Sequence, residues 1–355
     1  MTAIPVNPRQ AHELQRSGLL LIDVREPAEW TAGMAAGAKP VAKAELEKSA
    51  CFHIADVHQP VILICAGGKR SDACAEALIA QGYGTVYSVQ GGTQAWQADG
   101  LPMVIPESTD FERRYVRQMM LPTVGRAGQE KLAKARVLLV GAGGLGSPCA
   151  YYLAAAGVGF LRIVDDDTID LSNLQRQILH KNDDVGEKKA ISAKNTLLSL
   201  NPTISVESLV DTIRPDNVRN YIKDVDLVID GTDNFSSRYA ISDACAKQGM
   251  PWVYGAVYRF EGQVSLFHAR PGQGPCYRCL FPDAAGAGAP NCSEAGVLGV
   301  TPGVIGLLQA TEALKYLLGI GDALTGRLLS FDLLSMRSHE TRFSADPACP
   351  VCGTA

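Results

Sequence analysis

Residues 136–150 read RVLLVGAGGLGSPCA: an apolar run, Val137 to Val140, then a glycine-rich turn, then small residues suited to a helix. The run has the length of a buried strand. Gly141, Gly143, Gly144 and Gly146 satisfy G-x-G-x-x-G in the setting that gives it meaning, a strand before and a helix after. Glycines there permit a tight turn and let backbone N–H groups approach phosphate oxygens at a helix N-terminus. A βαβ turn with no ligand is the bland alternative. Beyond that helix, FLRIVD (160–165) forms the next strand and ends on Asp165, about where an acidic residue would hold ribose hydroxyls. Taken alone, this fingerprint favours NAD over ATP.

The next three segments change that expectation. DDDTIDLSNLQRQ (165–177) carries Asn173 and Arg176, and GEKK (186–189) places Lys189 in the first turn of the next helix. DLVID (226–230) reads as a further parallel strand, and GTDN (231–234) sets Asp233 and Asn234 just past its end. Each charge alone is an ordinary surface residue. Together, at the carboxyl ends of strands, they exceed what hydride transfer needs. They suit attack on an α-phosphate, where cations stabilise the charged transition state and a carboxylate holds Mg²⁺. ATP with Mg²⁺ is therefore expected. An NAD-dependent oxidoreductase remains the rival, leaving Arg176, Lys189 and Asp233 without a task. A degenerate docking scaffold is disfavoured because the charged positions are filled.

Further along, WVYGAVY (252–258) and QVSLF (263–267) extend the sheet, followed by a helix near 301–318 and a last strand around 328–334. The first third reads differently. LLLIDV (19–24), VILIC (61–65) and TVYSV (85–89) look like buried strands. A helix with Ala73, Cys74, Ala77 and Leu78 on one face stops at Gly82, and the order strand, helix, strand predicts a parallel α/β sheet. Two prolines mark a linker near 102–108, and TDFE (109–112) is a capping box opening a new helix. Domains are therefore expected at 1–106 and 107–355. DAAGAGAP (283–290) reads as a mobile loop.

The 355 residues are 46% hydrophobic and 20% charged, ordinary globular usage, so about two domains are expected. With 33 basic and 37 acidic residues the net charge is −4, which leaves no footprint for nucleic acid or an anionic membrane. No apolar run reaches ~18 residues and the N-terminus carries no signal-peptide pattern, so a cytoplasmic protein is expected.

Ten cysteines are many for such a chain. Cys276/Cys279 and Cys349/Cys352 form two CxxC pairs, a strong pattern for a structural four-thiolate Zn²⁺ site that pins the C-terminal tail. A redox dithiol and an iron–sulfur cluster are the competing readings. His180, His268 and His339 fit no ligand spacing. Cys65 opens CAGGKRS at a strand end, where loop amides, a helix N-terminus and Arg70 should favour thiolate and could cradle a persulfide. Four residues separate Cys65 from Arg70, one fewer than in a tyrosine-phosphatase loop. Cys74, Cys149 and Cys245 fit core positions. Cys51 has no evident place.

GAGGLG, DDDTIDLSNLQRQ, GTDN and CYRCLF together resemble the ubiquitin-activating-like adenylyltransferases of sulfur-carrier pathways, over about residues 108–355. The molybdopterin-synthase adenylyltransferases and their thiamine-pathway counterparts look nearest. The resemblance implies ATP-dependent adenylation of the C-terminal glycine of a ubiquitin-like carrier with a Gly-Gly tail. It sets Gly143 at the nucleotide, Asp165 at ribose, Asn173, Arg176 and Lys189 near the phosphates, and Asp233 at Mg²⁺. Arg117, in RRYVRQ, matches an arginine that reaches the ATP of the other subunit, which implies a homodimer. Cys292, in NCSEAGV, matches a cysteine linked to covalent handling of the activated carrier. Residues 5–104 resemble a rhodanese domain through DVREPAEW, CAGGKR, GGTQAW and GLP, with Met34 standing where that family's GHIPGA pattern has histidine. This second resemblance implies that Cys65 accepts sulfane sulfur, from a cysteine desulfurase or thiosulfate, and donates it. The expected fold is α/β: an N-terminal rhodanese-like parallel sheet, then a C-terminal Rossmann-like adenylation domain with a zinc site.

Overall fold

Val61–Ile64 is buried at all four positions, and an all-apolar strand of that kind needs cover on both faces. The computed structural model describes residues 3–105, 109–269, 274–282 and 296–353, and divides into two units, Met1–Arg114 and Tyr115–Ala355. The strands of the first unit are β1 (Ile4–Val6), β2 (Leu20–Asp23), β3 (Met34–Ala35), β4 (Lys39–Pro40), β5 (Val61–Ile64), β6 (Val86–Val89) and β7 (Met103–Val104). Five of them form a parallel sheet in the order β1-β6-β5-β2-β4, so the apolar β5 lies in the middle.

The helix Lys69–Ala80 follows β5 and buries Ser71, Cys74, Ala75 and Leu78. Ala73, expected on that face, is exposed. Part of the expected linker is strand: β7 pairs antiparallel with β3, and the Trp96 Nε1–H donates to the Pro102 carbonyl at 3.0 Å. A buried indole N–H needs such a partner, so this stretch belongs to the first core.

The capping box holds at the end of the first unit: the Glu112 N–H donates to Thr109 Oγ1 at 3.2 Å and the Thr109 N–H to Glu112 Oε2 at 2.9 Å, opening the helix Asp110–Met119, which continues into the second unit. The sheet of the second unit comprises β8 (Arg136–Val140), β9 (Phe160–Val164), β10 (Ser205–Leu209), β11 (Leu227–Asp230), β12 (Trp252–Tyr258), β13 (Glu261–Phe267), β14 (Arg327–Asp332) and β15 (Arg337–Arg342). The order is β10-β9-β8-β11-β12-β13-β14-β15, parallel through β12 and antiparallel beyond it. The last expected strand thus ends at Asp332, and a hairpin returns as β15. The helix Val300–Leu318 packs Ile305, Ala310 and Ala313 into the core. Among the described residues no helix is long and apolar enough to cross a membrane.

Candidate functional site

The strand order reverses at β8: β9 and β10 lie on one side of it, β11 and β12 on the other. Crevices open at the carboxyl ends of strands where the order reverses. Here the cleft measures about 500 Å³, and its lining includes Gly141, Gly143, Gly144, Asp165, Arg176, Lys189, Asp233 and Asn234. Gly146 stands behind the lining. A Cβ there would fall 1.9 Å from the Gly141 carbonyl oxygen, so only glycine lets the helix Gly146–Ala156 start this close to β8.

Asp165 Oδ2 accepts from the Ala142 N–H at 2.8 Å, and Oδ1 from the Asp167 N–H at 2.9 Å. Burial raises its carboxyl above the ordinary range, opposed by the Ala142 amide and by Lys189. The Lys189 ammonium donates to Asp167 Oδ2 at 2.7 Å, with its side chain 7% exposed. Arg238, also in the lining, forms a buried ion pair behind it: Arg238 Nε–H donates to Asp230 Oδ2 at 3.0 Å and Nη2–H to the Thr232 carbonyl at 2.9 Å. Burial works against the Arg238 cation, and Asp230 outweighs it, so the arginine stays charged. The rings of Tyr254, Tyr277 and Phe281 complete an aromatic part of the lining.

In the first unit, Cys65 follows β5 directly and is 2% exposed. The Gly68 N–H donates to its Sγ at 3.1 Å, and the Ser71 hydroxyl lies 3.5 Å away. Burial pushes this thiol up; the Ser71 hydroxyl and amide and the Gly68 and Gly67 amides overcome that and leave it below the ordinary cysteine value. Arg70, expected to act on the sulfur, pairs with Glu29 and keeps a charge attraction to Cys65. Its guanidinium donates to both Glu29 oxygens, at 2.6 and 2.7 Å, and holds the Glu29 carboxyl down. The Cys65 thiol is tuned chiefly by amides and a hydroxyl.

Near the C-terminus, Cys276, Cys279, Cys349 and Cys352 bring their sulfurs within 4.8 Å of one another, with Cys276 to Cys349 at 3.5 Å and Cys279 to Cys352 at 3.4 Å. Tetrahedral Zn–S bonds of about 2.3 Å put ligand sulfurs about 3.8 Å apart, so donor set and spacing fit zinc.

The ThiF family profile matches residues 115–351. The chain belongs to the ThiF family. A rhodanese-like domain matches residues 7–99, so a ThiF unit follows a rhodanese unit. The chain is 49% identical over 244 residues to the sulfur carrier protein adenylyltransferase of Thermus thermophilus, covering 68% of this chain and 90% of that protein. It is 45% identical over 255 residues to the probable adenylyltransferase/sulfurtransferase MoeZ of Mycobacterium tuberculosis, covering 70% of this chain and 65% of that one. A crystal structure of Escherichia coli MccB with ATP has a similar fold, with TM-score 0.60 and 21% identity, over 70% of this chain and 75% of that one.

Within the ThiF unit, Asn173 and Arg117 stand outside the cleft lining. Asn173 closes the turn Leu171–Asn173, its Oδ1 accepting from the Asp170 N–H at 3.2 Å. Arg117 is exposed on the helix Asp110–Met119. Cys292 and residues 283–290 lie outside the described residues. Cys74, Cys149 and Cys245 are buried and Cys51 is exposed. Sequence reading missed the Asp230–Arg238 pair and Gln177, which lines the cleft at 4% exposure. The signal for the pair was present: Asp230 closes an apolar strand and Arg238 sits one turn into the helix after GTDN.

Proposed function

We infer that this chain adenylates the C-terminal glycine carboxylate of a small ubiquitin-like sulfur-carrier protein with ATP, then thiolates it with sulfur held on Cys65. One observation carries the reading: the glycine-rich loop, Arg176, Lys189 and Asp233 meet in one cleft at the reversal of strand order. A relative named for carrier adenylation supports it.

A carboxylate oxygen of the carrier tail attacks the α-phosphorus of ATP, the bond to the bridging oxygen breaks, and pyrophosphate leaves. The tail is its own nucleophile, so the protein aligns the reactants and neutralises charge. Loop amides, Arg176 and Lys189 take the phosphate oxygens, Lys189 exchanges Asp167 for phosphate, and Asn173 would have to release Asp170 to join them. Asp165 holds ribose. Asp233, with Asn234 next to it, holds Mg²⁺, which neutralises phosphate charge when bound.

In the sulfur step the Cys65 thiolate attacks sulfane sulfur on a donor, a desulfurase persulfide or thiosulfate, and the donor's remaining sulfur leaves with the electron pair. The terminal persulfide sulfur then attacks the acyl carbon and AMP departs, leaving an acyl disulfide. A second thiol attacks Cys65 Sγ and frees the thiocarboxylate. Cys292 is the candidate for that thiol, and a low-molecular-weight thiol reduces the resulting disulfide. Donor and activator on one chain keep sulfur concentrated near a hydrolysable intermediate. Residues 1–106 and 107–355 would divide these tasks.

We take the small subunit of molybdopterin synthase as the carrier; a thiamine-pathway or other carrier would use the same chemistry. The four cysteines would hold structural Zn²⁺. A homodimer, with Arg117 entering the neighbouring site, and a cytoplasmic setting complete the reading. Incubation with carrier, ATP, Mg²⁺ and a sulfur source should give the carrier the mass gain of sulfur replacing oxygen, with ATP–pyrophosphate exchange. Asp233→Ala and Arg176→Ala should abolish exchange, while Cys65→Ser keeps exchange and loses thiolation. No exchange with any Gly-Gly carrier defeats the reading.

A further inference from the structure

His180 has no part in the adenylation or sulfur steps, yet it is 6% exposed and wired to the glycine-rich loop. Its Nε2 lies 3.0 Å from the Ala142 carbonyl oxygen and its Nδ1 2.9 Å from Ser192 Oγ. A carbonyl only accepts, so Nε2 carries a proton. Ser192 Oγ also lies 2.8 Å from Asp184 Oδ2 and has one proton to give. Beside a neutral imidazole Ser192 donates to Asp184, and its contact with Nδ1 lacks a proton. Beside an imidazolium, Nδ1–H donates to Ser192 and Ser192 donates to Asp184, so all three contacts are satisfied together. Ala142, meanwhile, donates its N–H to Asp165 Oδ2 at 2.8 Å. One loop residue is thus gripped by both a cleft carboxylate and a buried imidazole.

We propose that His180 is a positioning residue for the nucleotide loop, and that a bound nucleoside triphosphate draws onto it a proton that the Ser192–Asp184 chain holds. The inference rests on the nucleotide reading of the cleft. The groups facing His180 are the Ala142 carbonyl from the loop, Lys189 from the helix Lys189–Leu200 and Asp184 from the turn Asn182–Asp184. Burial holds the imidazole below its ordinary pKa; the Ala142 carbonyl opposes that, Lys189 reinforces it, and Asp184 opposes it. Near neutrality His180 is therefore uncharged in the free protein. Phosphate oxygens at the loop bring negative charge and draw Lys189 away, and both changes favour the imidazolium. Binding that raises a pKa takes up a proton, so affinity strengthens as pH falls from about 8 to about 6.

Calorimetric titration of the full chain with ATP and Mg²⁺, in two buffers of different ionisation enthalpy, reads that proton directly. The unaltered protein should take up a fraction of a proton. His180→Gln keeps a donor for Ala142 and should hold affinity within about threefold while losing the uptake; His180→Ala, without that donor, should weaken binding about tenfold. Ser192→Ala keeps the imidazole and removes the acceptor that holds the Nδ1 proton, so it too should lose most of the uptake, independently of how His180→Gln folds. Uptake undiminished in either His180→Gln or Ser192→Ala overturns the proposal and leaves the nucleotide site standing. Failure of the unaltered protein to bind ATP overturns both.

Discussion

Ser71 is the residue on which the Cys65 thiolate most visibly depends. Its hydroxyl sits 2.8 Å from the Gly68 carbonyl and 3.5 Å from Sγ, and accepts from the Ser88 hydroxyl at 3.0 Å. Both serines are fully buried, so no water replaces either. Ser71→Ala removes a lowering contribution from a thiol that burial already pushes up, and the Cys65 pKa should rise. At neutral pH the thiolate fraction then falls, and alkylation of Cys65 by iodoacetamide, followed by peptide mass spectrometry, should slow several-fold, with the two rates converging at alkaline pH. Equal rates at neutral pH would dismiss the hydroxyl. Cys65 itself was legible because the signal is local: an apolar strand, a cysteine, glycines. The Arg70–Glu29 pair was not, since Glu29 lies 41 residues away and nothing in CAGGKRS announces it. His180 was read for ligand spacing alone, while its environment comes from Ala142, 38 residues earlier.

Among the secondary-structure elements, the joint between β8 and the helix Gly146–Ala156 is the part most exposed to a single methyl group. Gly146→Ala would press Cβ to 1.9 Å from the Gly141 oxygen, whereas a Cβ on Gly143 meets Gln177 Nε2 at an ordinary 3.7 Å. Gly146→Ala should cost about 3 kcal/mol and lower the melting temperature of the ThiF unit by about 10 °C. Gly143→Ala should leave melting nearly unchanged and weaken ATP binding alone. Melting curves and nucleotide titration on both variants separate the two roles; equal destabilisation would contradict the packing argument. The parallel strands at the cleft were readable because each is an uninterrupted apolar run. β15, with RSHETR, has no such run; it forms by pairing residue for residue with β14, which sequence pattern does not display. β7 was hidden in the same way, two residues recruited by β3 from what reads as linker.

Across the full chain, each hydrophobic cluster among the described residues belongs to one unit: those around Leu63 and Trp96 to the rhodanese unit, those around Leu139, Trp252 and the four cysteines to the ThiF unit. Separate cores predict separate unfolding events. The cysteine cluster ties Cys349 and Cys352 to the turn of Tyr277–Leu280, and Tyr277 also packs, edge-on or tilted, into the ring cluster of Trp252, Tyr254 and Phe281 that borders the cleft. A metal there would brace the cleft through Tyr277 as well as hold the tail, because ligand binding to the folded form alone stabilises it. Calorimetry of the full chain should therefore show two transitions. Removing zinc with a strong chelator should lower one by about 10 °C, leave the other in place, and weaken ATP binding in parallel. A chelator shift in both transitions, or in neither, would mean that the four sulfurs do not brace the ThiF unit in this way.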